Sequence, residues 1–136
     1  FISVGTNDLI QYILSVDRGD DSVSHLYQPG HPSVLKMLQH VIRTANRMDK
    51  DVSVCGEMAG DTAFTRVLLG MGLRRFSMNP NNILPVKNII LHSNAGQLEG
   101  DIAKVIRCED EEKSEKLIKQ INSVSVAEEA EVKGRK

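Results

Sequence analysis

Cys55 closes a short run of strand-forming residues, Val52-Ser53-Val54-Cys55, and the chain then breaks into Gly56-Glu57-Met58-Ala59-Gly60-Asp61. This pattern places a thiol and two carboxylates at the carboxyl end of a strand, where parallel α/β sheets and barrels keep their chemistry. The same pattern opens the chain, where Phe1-Ile2-Ser3-Val4 empties into Gly5-Thr6-Asn7-Asp8. Asn7 and Asp8 together can bind an oxyanion and a hard cation. Mg²⁺ prefers oxygen ligands and often takes only one or two carboxylates, the rest coming from substrate phosphate and water. Arg18 follows on a polar loop able to fold over the same mouth, and its planar fork suits phosphate or carboxylate. Cys55, on a neighbouring strand, is a candidate nucleophile or proton donor. Plainer alternatives exist for each. Gly5-Thr6-Asn7-Asp8 can be a turn whose side chains bond nearby backbone, and a free Cys is most often a small buried hydrophobe.

The elements that must position these residues alternate. Strand Phe1–Val4 runs into an Asn7-Asp8 loop, then a short helix over Leu9–Val16 and a polar loop over Asp17–His31. Pro32 opens a helix, because proline is pre-set for a first helical turn. Val34, Leu35, Leu38, Val41, Ile42 and Ala45 repeat with helical period and define its buried face. Strand Val52–Cys55 follows, then a helix from an Asp61 N-cap to about Leu69, ended by Gly70 and Gly72. Phe76-Ser77-Met78 is a third short strand, opening into Asn79-Pro80-Asn81-Asn82 and a helix over Pro85–Leu91. Three strand-then-helix units in a row predict parallel strands with helical crossovers. From Asn94 the texture changes: Ala95–Arg107 and Lys113–Ile121 read as helices with sparse apolar faces, joined by a solvated charged junction at Cys108–Glu112. Val124–Lys136 has no clear period and reads as a disordered or frayed tail.

Composition narrows the classes. Net charge is −1, so no global field draws the chain to nucleic acid or to a membrane. Aromatic residues make up 4% and Trp is absent, which argues against base-stacking platforms. No apolar run is long enough to span a bilayer. Cys55 and Cys108 suggest no disulfide framework, and a reducing, cytosolic setting is expected. Cys108, in a helix-like segment, reads as structural. His25, His31, His40 and His92 have no spacing that suggests a metal pair, and His31 reads as a cap for the Pro32 helix. The chain begins in mid-strand at Phe1, so it is expected to be a piece of a longer polypeptide.

Taken together the strings are far more specific than singly. Phe1–Tyr12, Val16–Gly19, Leu26–Pro29, His31–Leu35, Cys55–Asp61, Leu68–Leu73 and Phe76–Met78 occur in an order that resembles the C-terminal part of the Enzyme I family of phosphoenolpyruvate–protein phosphotransferases, among the PEP-utilising enzymes. The likeness is strong from Phe1 to about Ser93 and weak beyond.

The resemblance implies an α/β fold: about strands six to eight of a phosphoenolpyruvate-binding (β/α)₈ TIM barrel over residues 1–93, a C-terminal helical extension over 94–123, and a tail over 124–136. It implies that Asn7 and the backbone at Asp8 contact the substrate phosphate, that Arg18 does so too, and that the Asp8 side chain is a Mg²⁺ ligand. Cys55 is implied as the acid that protonates the enolate as pyruvate forms. The partners implied are phosphoenolpyruvate, a histidine-containing phosphocarrier protein reached through domains upstream of Phe1, and a second copy in a cytoplasmic homodimer. The early-strand arginines and the second metal carboxylate also lie upstream, so the isolated chain is expected to be inactive and to depend on association. Other readings are the nitrogen-regulatory Enzyme I paralogue, a relative of pyruvate phosphate dikinase or phosphoenolpyruvate synthase, and a non-catalytic half-barrel assembly module.

Overall fold

The computed structural model of the protein describes residues 1–123, so the tail read from residue 124 lies outside the described residues. Two strands, β1 (Ile2–Gly5) and β2 (Val52–Cys55), pair in parallel with Ile2 opposite Val52 and Gly5 opposite Cys55. Between them run α1 (Thr6–Leu14), a single 3₁₀ turn at Ser24–Leu26, and α2 (Pro32–Arg47). After β2 come α3 (Glu57–Gly60), α4 (Thr62–Gly70), α5 (Pro80–Leu91), α6 (Ala95–Arg107) and α7 (Glu111–Ser123). The described residues are therefore mostly helical around a small parallel sheet, an arrangement compatible with an α/β fold.

Local chemistry explains most helix starts. His31 Nδ1 accepts the Ser33 N–H at 3.2 Å ahead of Pro32, as its position suggested. Asp61 accepts the Ala63 N–H at 2.8 Å, and Asn79 that of Asn81 at 3.0 Å. Asn94 accepts from Gly96 and Gln97, and Asp110 Oδ1 accepts the Lys113 N–H at 2.8 Å. Each of these caps satisfies a first-turn donor that would otherwise have no partner. The acids of the charged junction are exposed, and Asp110 serves as the cap of α7.

One core gathers these elements. On α2 the residues Val34, Leu35, Leu38, Ile42 and Ala45 are buried, while Val41 is only partly covered. They meet Val54 of β2, Val67 and Leu68 of α4, and Leu73 beyond it. The apolar faces of the last two helices are short but complete: Leu98, Ile102 and Val105 on α6, and Ile118 and Ile121 on α7, join the same core. Each fully buried side chain of this kind contributes about 1.5–3 kcal/mol. Gly70 lets α6 approach α4, since a Cβ there would lie 2.5 Å from Ile102 Cγ1 and 2.9 Å from the Leu98 carbonyl oxygen.

Four local expectations need correction. Asn7 and Asp8 are not in a loop but in the first turn of α1, which starts at Thr6 and ends at Leu14. The helix begins this early because the chain turns directly after Gly5. Phe76–Met78 is not a full strand: only Phe76 bridges Val54, with Ser77 N–H donating to the Val54 carbonyl at 2.9 Å. Asn79 then caps a helix with Pro80 in its first turn, which removes the residues that would have extended the pairing. That helix runs from Pro80 through Pro85, so it is longer than the stretch after Pro85 alone; segment 81–85 is exposed, and the loss of one backbone donor there costs no buried bond. Gly70 is the last residue of α4 rather than its terminator. The end is made by Gly72 N–H to the Leu69 carbonyl and Leu73 N–H to the Leu68 carbonyl, both at 3.1 Å.

Candidate functional site

The strand register puts Gly5 beside Cys55, so the residues just past each strand end are neighbours. The two helices that start there differ from the others: α1 follows Gly5 and α3 follows Gly56, and neither receives a side-chain cap from the residue before it. Gly56 has φ +92°, and a Cβ on it would stand 2.6 Å from Thr6 Oγ1 and 3.3 Å from Asn7 Oδ1. A glycine at this point lets the β2–α3 turn lie against the first turn of α1. Thr6 is fully buried, and its hydroxyl donates to the Cys55 carbonyl at 2.8 Å, pinning the two turns together.

Asn7 occupies the junction. Its Oδ1 accepts the Tyr27 hydroxyl at 3.3 Å and the Glu57 N–H at 3.4 Å. Asn7 therefore supplies to α3 the capping acceptor that Gly56 lacks. The Asn7 oxygen is thus engaged by two donors, and the Nδ2 group makes no hydrogen bond among the described residues. Arg18 is held by an ion pair to Glu57, Nη1 to Oε1 at 2.9 Å, and its backbone N–H donates to Gln11 Oε1 at 3.0 Å. Tyr27 sits among these charges. Burial raises its phenol above the ordinary tyrosine value, Arg18 opposes that shift, and Glu57 and Asp8 add to it.

Cys55 is half-buried, with its thiol 3.5 Å from the Val4 carbonyl and 3.8 Å from Ser3 Oγ. Cys55 and Asn7 line one cavity of about 350 Å³, together with Gly56, Glu57, Ser77 and Asn82. Among the predicted residues, Asn7 and Cys55 thus meet at one opening, and Arg18 is tied to it through Glu57. Asp8 is exposed in the first turn of α1 and does not line that cavity. Asp61, the second carboxylate of the strand-end string, is spent on capping α4.

Among the described residues the Asp8 carboxylate takes part in no hydrogen bond or ion pair, and no three His, Cys, Asp or Glu side chains converge in a metal-holding group. A disengaged carboxylate is chemically able to supply one oxygen ligand to a hard cation, and the described residues converge no further pair of such ligands on it. Its place near a helix N-terminus also gives it a favourable interaction with the helix dipole.

Thr6 and Tyr27 were not singled out from the sequence, and Glu57 was read only as one of the two carboxylates of the strand-end string. Glu57 and Tyr27 stand inside the Cys55–Asp61 and Leu26–Pro29 strings, but nothing in local spacing links them to Asn7 or Arg18. A larger cavity of about 690 Å³ lies away from the strand ends, between α2, α4 and α6. Of its cations, Arg43 faces Glu99 at 3.8 Å, Lys36 faces Glu109 at 4.0 Å, Arg74 donates to the Leu69 and Leu73 carbonyls, and Arg47 donates to the Thr44 hydroxyl at 3.3 Å.

A thiol and an amide side chain thus meet at the ends of adjacent parallel strands, where α/β proteins keep their ligand sites, with the Arg18 guanidinium joined to them through Glu57. Residues 1–95 match the family model described as PEP-utilising enzyme, PEP-binding domain, and the chain belongs to this family. It is similar to the phosphoenolpyruvate-protein phosphotransferase of Cupriavidus necator, at 50% identity over 121 residues, covering 89% of this chain and 21% of that protein. The same-named protein of Buchnera aphidicola subsp. Acyrthosiphon pisum is 54% identical over 90 residues, 66% of this chain and 16% of its own length. That of Staphylococcus epidermidis is 39% identical over 121 residues, 89% and 21%. The chain thus spans about a fifth of the length of these curated relatives.

Proposed function

We propose that this chain contributes part of a phosphoenolpyruvate site to a longer polypeptide that transfers the phosphoryl group to a protein histidine. One observation carries this reading: Asn7 and Cys55, at the ends of adjacent parallel strands, line one cavity in a chain of the PEP-utilising family. Asn7 Nδ2 and the first-turn N–H groups of α1 hold the phosphate, as uncapped helix starts do for anions. Arg18 presents its guanidinium to the remaining phosphate oxygens, a pairing that its fork geometry favours. Asp8 would serve as one ligand of Mg²⁺, which would supply neutralisation of the substrate's developing negative charge.

The chain's own residues complete the reaction. When the phosphorus–oxygen bond breaks, the phosphoryl group passes to the histidine nitrogen and the electron pair stays on the enolate oxygen. The methylene carbon of the enolate then takes the proton of the Cys55 thiol, giving pyruvate, and the thiolate recovers a proton from water. Thr6 holds the Cys55 carbonyl and so fixes where the thiol is presented.

The same reading places β1, β2 and the Phe76 segment as about strands six to eight of a (β/α)₈ barrel. Support comes from the parallel register, the helical crossover and the outer edge of β1, where Phe1 is 92% and Ile2 40% exposed. A histidine-containing phosphocarrier protein downstream, homodimerisation and a cytoplasmic setting belong to this proposal and rest on the resemblance. Among the described residues no helix is long and apolar enough to cross a membrane.

The test is Cys55→Ala in the full-length polypeptide. Removing a positioned acid slows its step by about 10²–10⁴-fold. Pyruvate formation should fall to that extent while phosphohistidine still accumulates from labelled phosphoenolpyruvate. Pyruvate release at the wild-type rate would remove Cys55 from the reaction.

A further inference from the structure

Both side chains proposed to contact phosphate converge on one residue. Glu57 Oε1 grips Arg18 Nη1 at 2.9 Å, and the Glu57 backbone N–H reaches Asn7 Oδ1 at 3.4 Å. Resting on the phosphoenolpyruvate reading, we infer that Glu57 is a positioning residue whose carboxylate sets the orientation of Arg18, while the backbone N–H at the same position holds Asn7.

The geometry gives each contact a directional consequence. With Nη1 anchored on Glu57, the guanidinium keeps Nη2 and Nε for an incoming anion. With Oδ1 taken by Glu57 N–H and by the Tyr27 hydroxyl, the Asn7 amide cannot turn its oxygen toward a phosphate without losing both bonds. A negative side chain at the rim of an anion site is unfavourable unless it is committed elsewhere, and here it is committed to the arginine.

Exposure separates positioning from stability. The side chains of Arg18 and Glu57 are 43% and 76% exposed, and ion pairs so open to water add little to folding. What Glu57 contributes is order in a flexible arginine before the ligand arrives, which appears in ligand affinity and rate rather than in melting temperature. The position is fixed by the backbone too. Gly56, with φ +92°, turns the chain so that residue 57 begins α3 directly over Asn7.

A double-mutant cycle between Glu57 and Arg18 in the full-length polypeptide tests this. Affinity for phosphoenolpyruvate with Mg²⁺ is measured by calorimetry, with thermal unfolding of every variant alongside. Glu57→Ala and Arg18→Ala should each weaken binding by about 10- to 100-fold, the loss expected for a charge-assisted hydrogen bond. The double variant should be hardly weaker than either single one, because the two residues act as one unit. Glu57→Gln keeps an acceptor for Arg18 and should recover part of the affinity, with little change in melting temperature. It also keeps the test decisive if Glu57→Ala folds poorly. Additive losses, or wild-type affinity in both Glu57 variants while Arg18→Ala binds weakly, would overturn the positioning role and leave the phosphate site standing. Wild-type affinity in Arg18→Ala would overturn that site and the positioning role with it.

Discussion

Gly56→Ala is the sharpest structural test of how the site is assembled. Two independent terms oppose the methyl group. The backbone at Gly56 has φ +92° and ψ −174°, a region almost closed to L-residues, and holding a non-glycine there costs about 1–3 kcal/mol. The new Cβ would also lie 2.6 Å from Thr6 Oγ1, and relieving such an overlap in a packed site costs about 1–3 kcal/mol. Together they predict a loss of about 2–6 kcal/mol. The Thr6 hydroxyl cannot simply rotate away, because it is fully buried and donates to the Cys55 carbonyl. Thr6→Ala removes the clashing oxygen at the cost of that hydrogen bond, a loss of about 1 kcal/mol. Adding Thr6→Ala to Gly56→Ala should therefore recover the packing term and leave the backbone term plus the lost hydrogen bond, a coupling of about 1–3 kcal/mol. Urea unfolding followed by far-UV circular dichroism, compared as midpoint shifts within one polypeptide, measures all four corners. A Gly56→Ala shift equivalent to less than about 0.5 kcal/mol, the range of an ordinary surface change, would refute the steric account. Strict additivity with Thr6→Ala would refute the part assigned to the hydroxyl.

Asp8→Asn should lower activity of the full-length polypeptide and flatten its Mg²⁺ titration, since a neutral amide is a poorer ligand for a hard cation; an unchanged titration would count against Asp8 as a ligand. Gly70→Ala should destabilise by about 1–3 kcal/mol through overlap with Ile102 and Leu98, reduced by about 1 kcal/mol of helix propensity; thermal unfolding reads the difference, and a gain in melting temperature would show that α6 can move. The Tyr27 phenol has a raised value in the folded chain, chiefly from burial, so the fold favours its protonated form. Its contribution is full below the ordinary phenol range and is lost as pH rises through the folded value; Tyr27→Phe should remove this alkaline component from a pH–stability profile, measured beside a spectrophotometric phenol titration.

Periodicity and caps made the larger elements readable. The α2 face and the Asp61 start of α4 follow from side chains within a turn or two of one another, and so do the bounds of α6. The third strand was not readable, because Phe76-Ser77-Met78 has strand-like residues but too few of them before Asn79 and Pro80 start a helix. Asn7 and Asp8 looked like loop residues for a related reason: a glycine before them marks a break, and the sequence does not say that a helix resumes one residue later. Cys55, Asn7 and Arg18 could be singled out by residue type at strand ends. The connections among them could not, because Tyr27 reaches Asn7 across 20 positions and Glu57 reaches Arg18 across 39. Long-range pairing of this sort leaves no mark on local pattern. The clue that existed was Gly56, since a glycine between a strand-end thiol and an acid signals close backbone approach.

The parallel pairing of β1 with β2 also has a kinetic consequence. The hydroxyl of Thr6 and the carbonyl of Cys55 are 49 positions apart, so bringing them together costs about 3.5 kcal/mol of chain entropy in its length-dependent part. Helices such as α2 and α4 draw on neighbouring residues and can form in the microsecond range, whereas the strand-end junction must wait for that closure. During synthesis, Asn7 and Arg18 leave the ribosome long before Glu57 and Cys55 exist to receive them. Folding of the mouth is therefore gated by completion of the β2–α3 turn, and substitutions there should slow folding of the junction while leaving the early helices at their own pace.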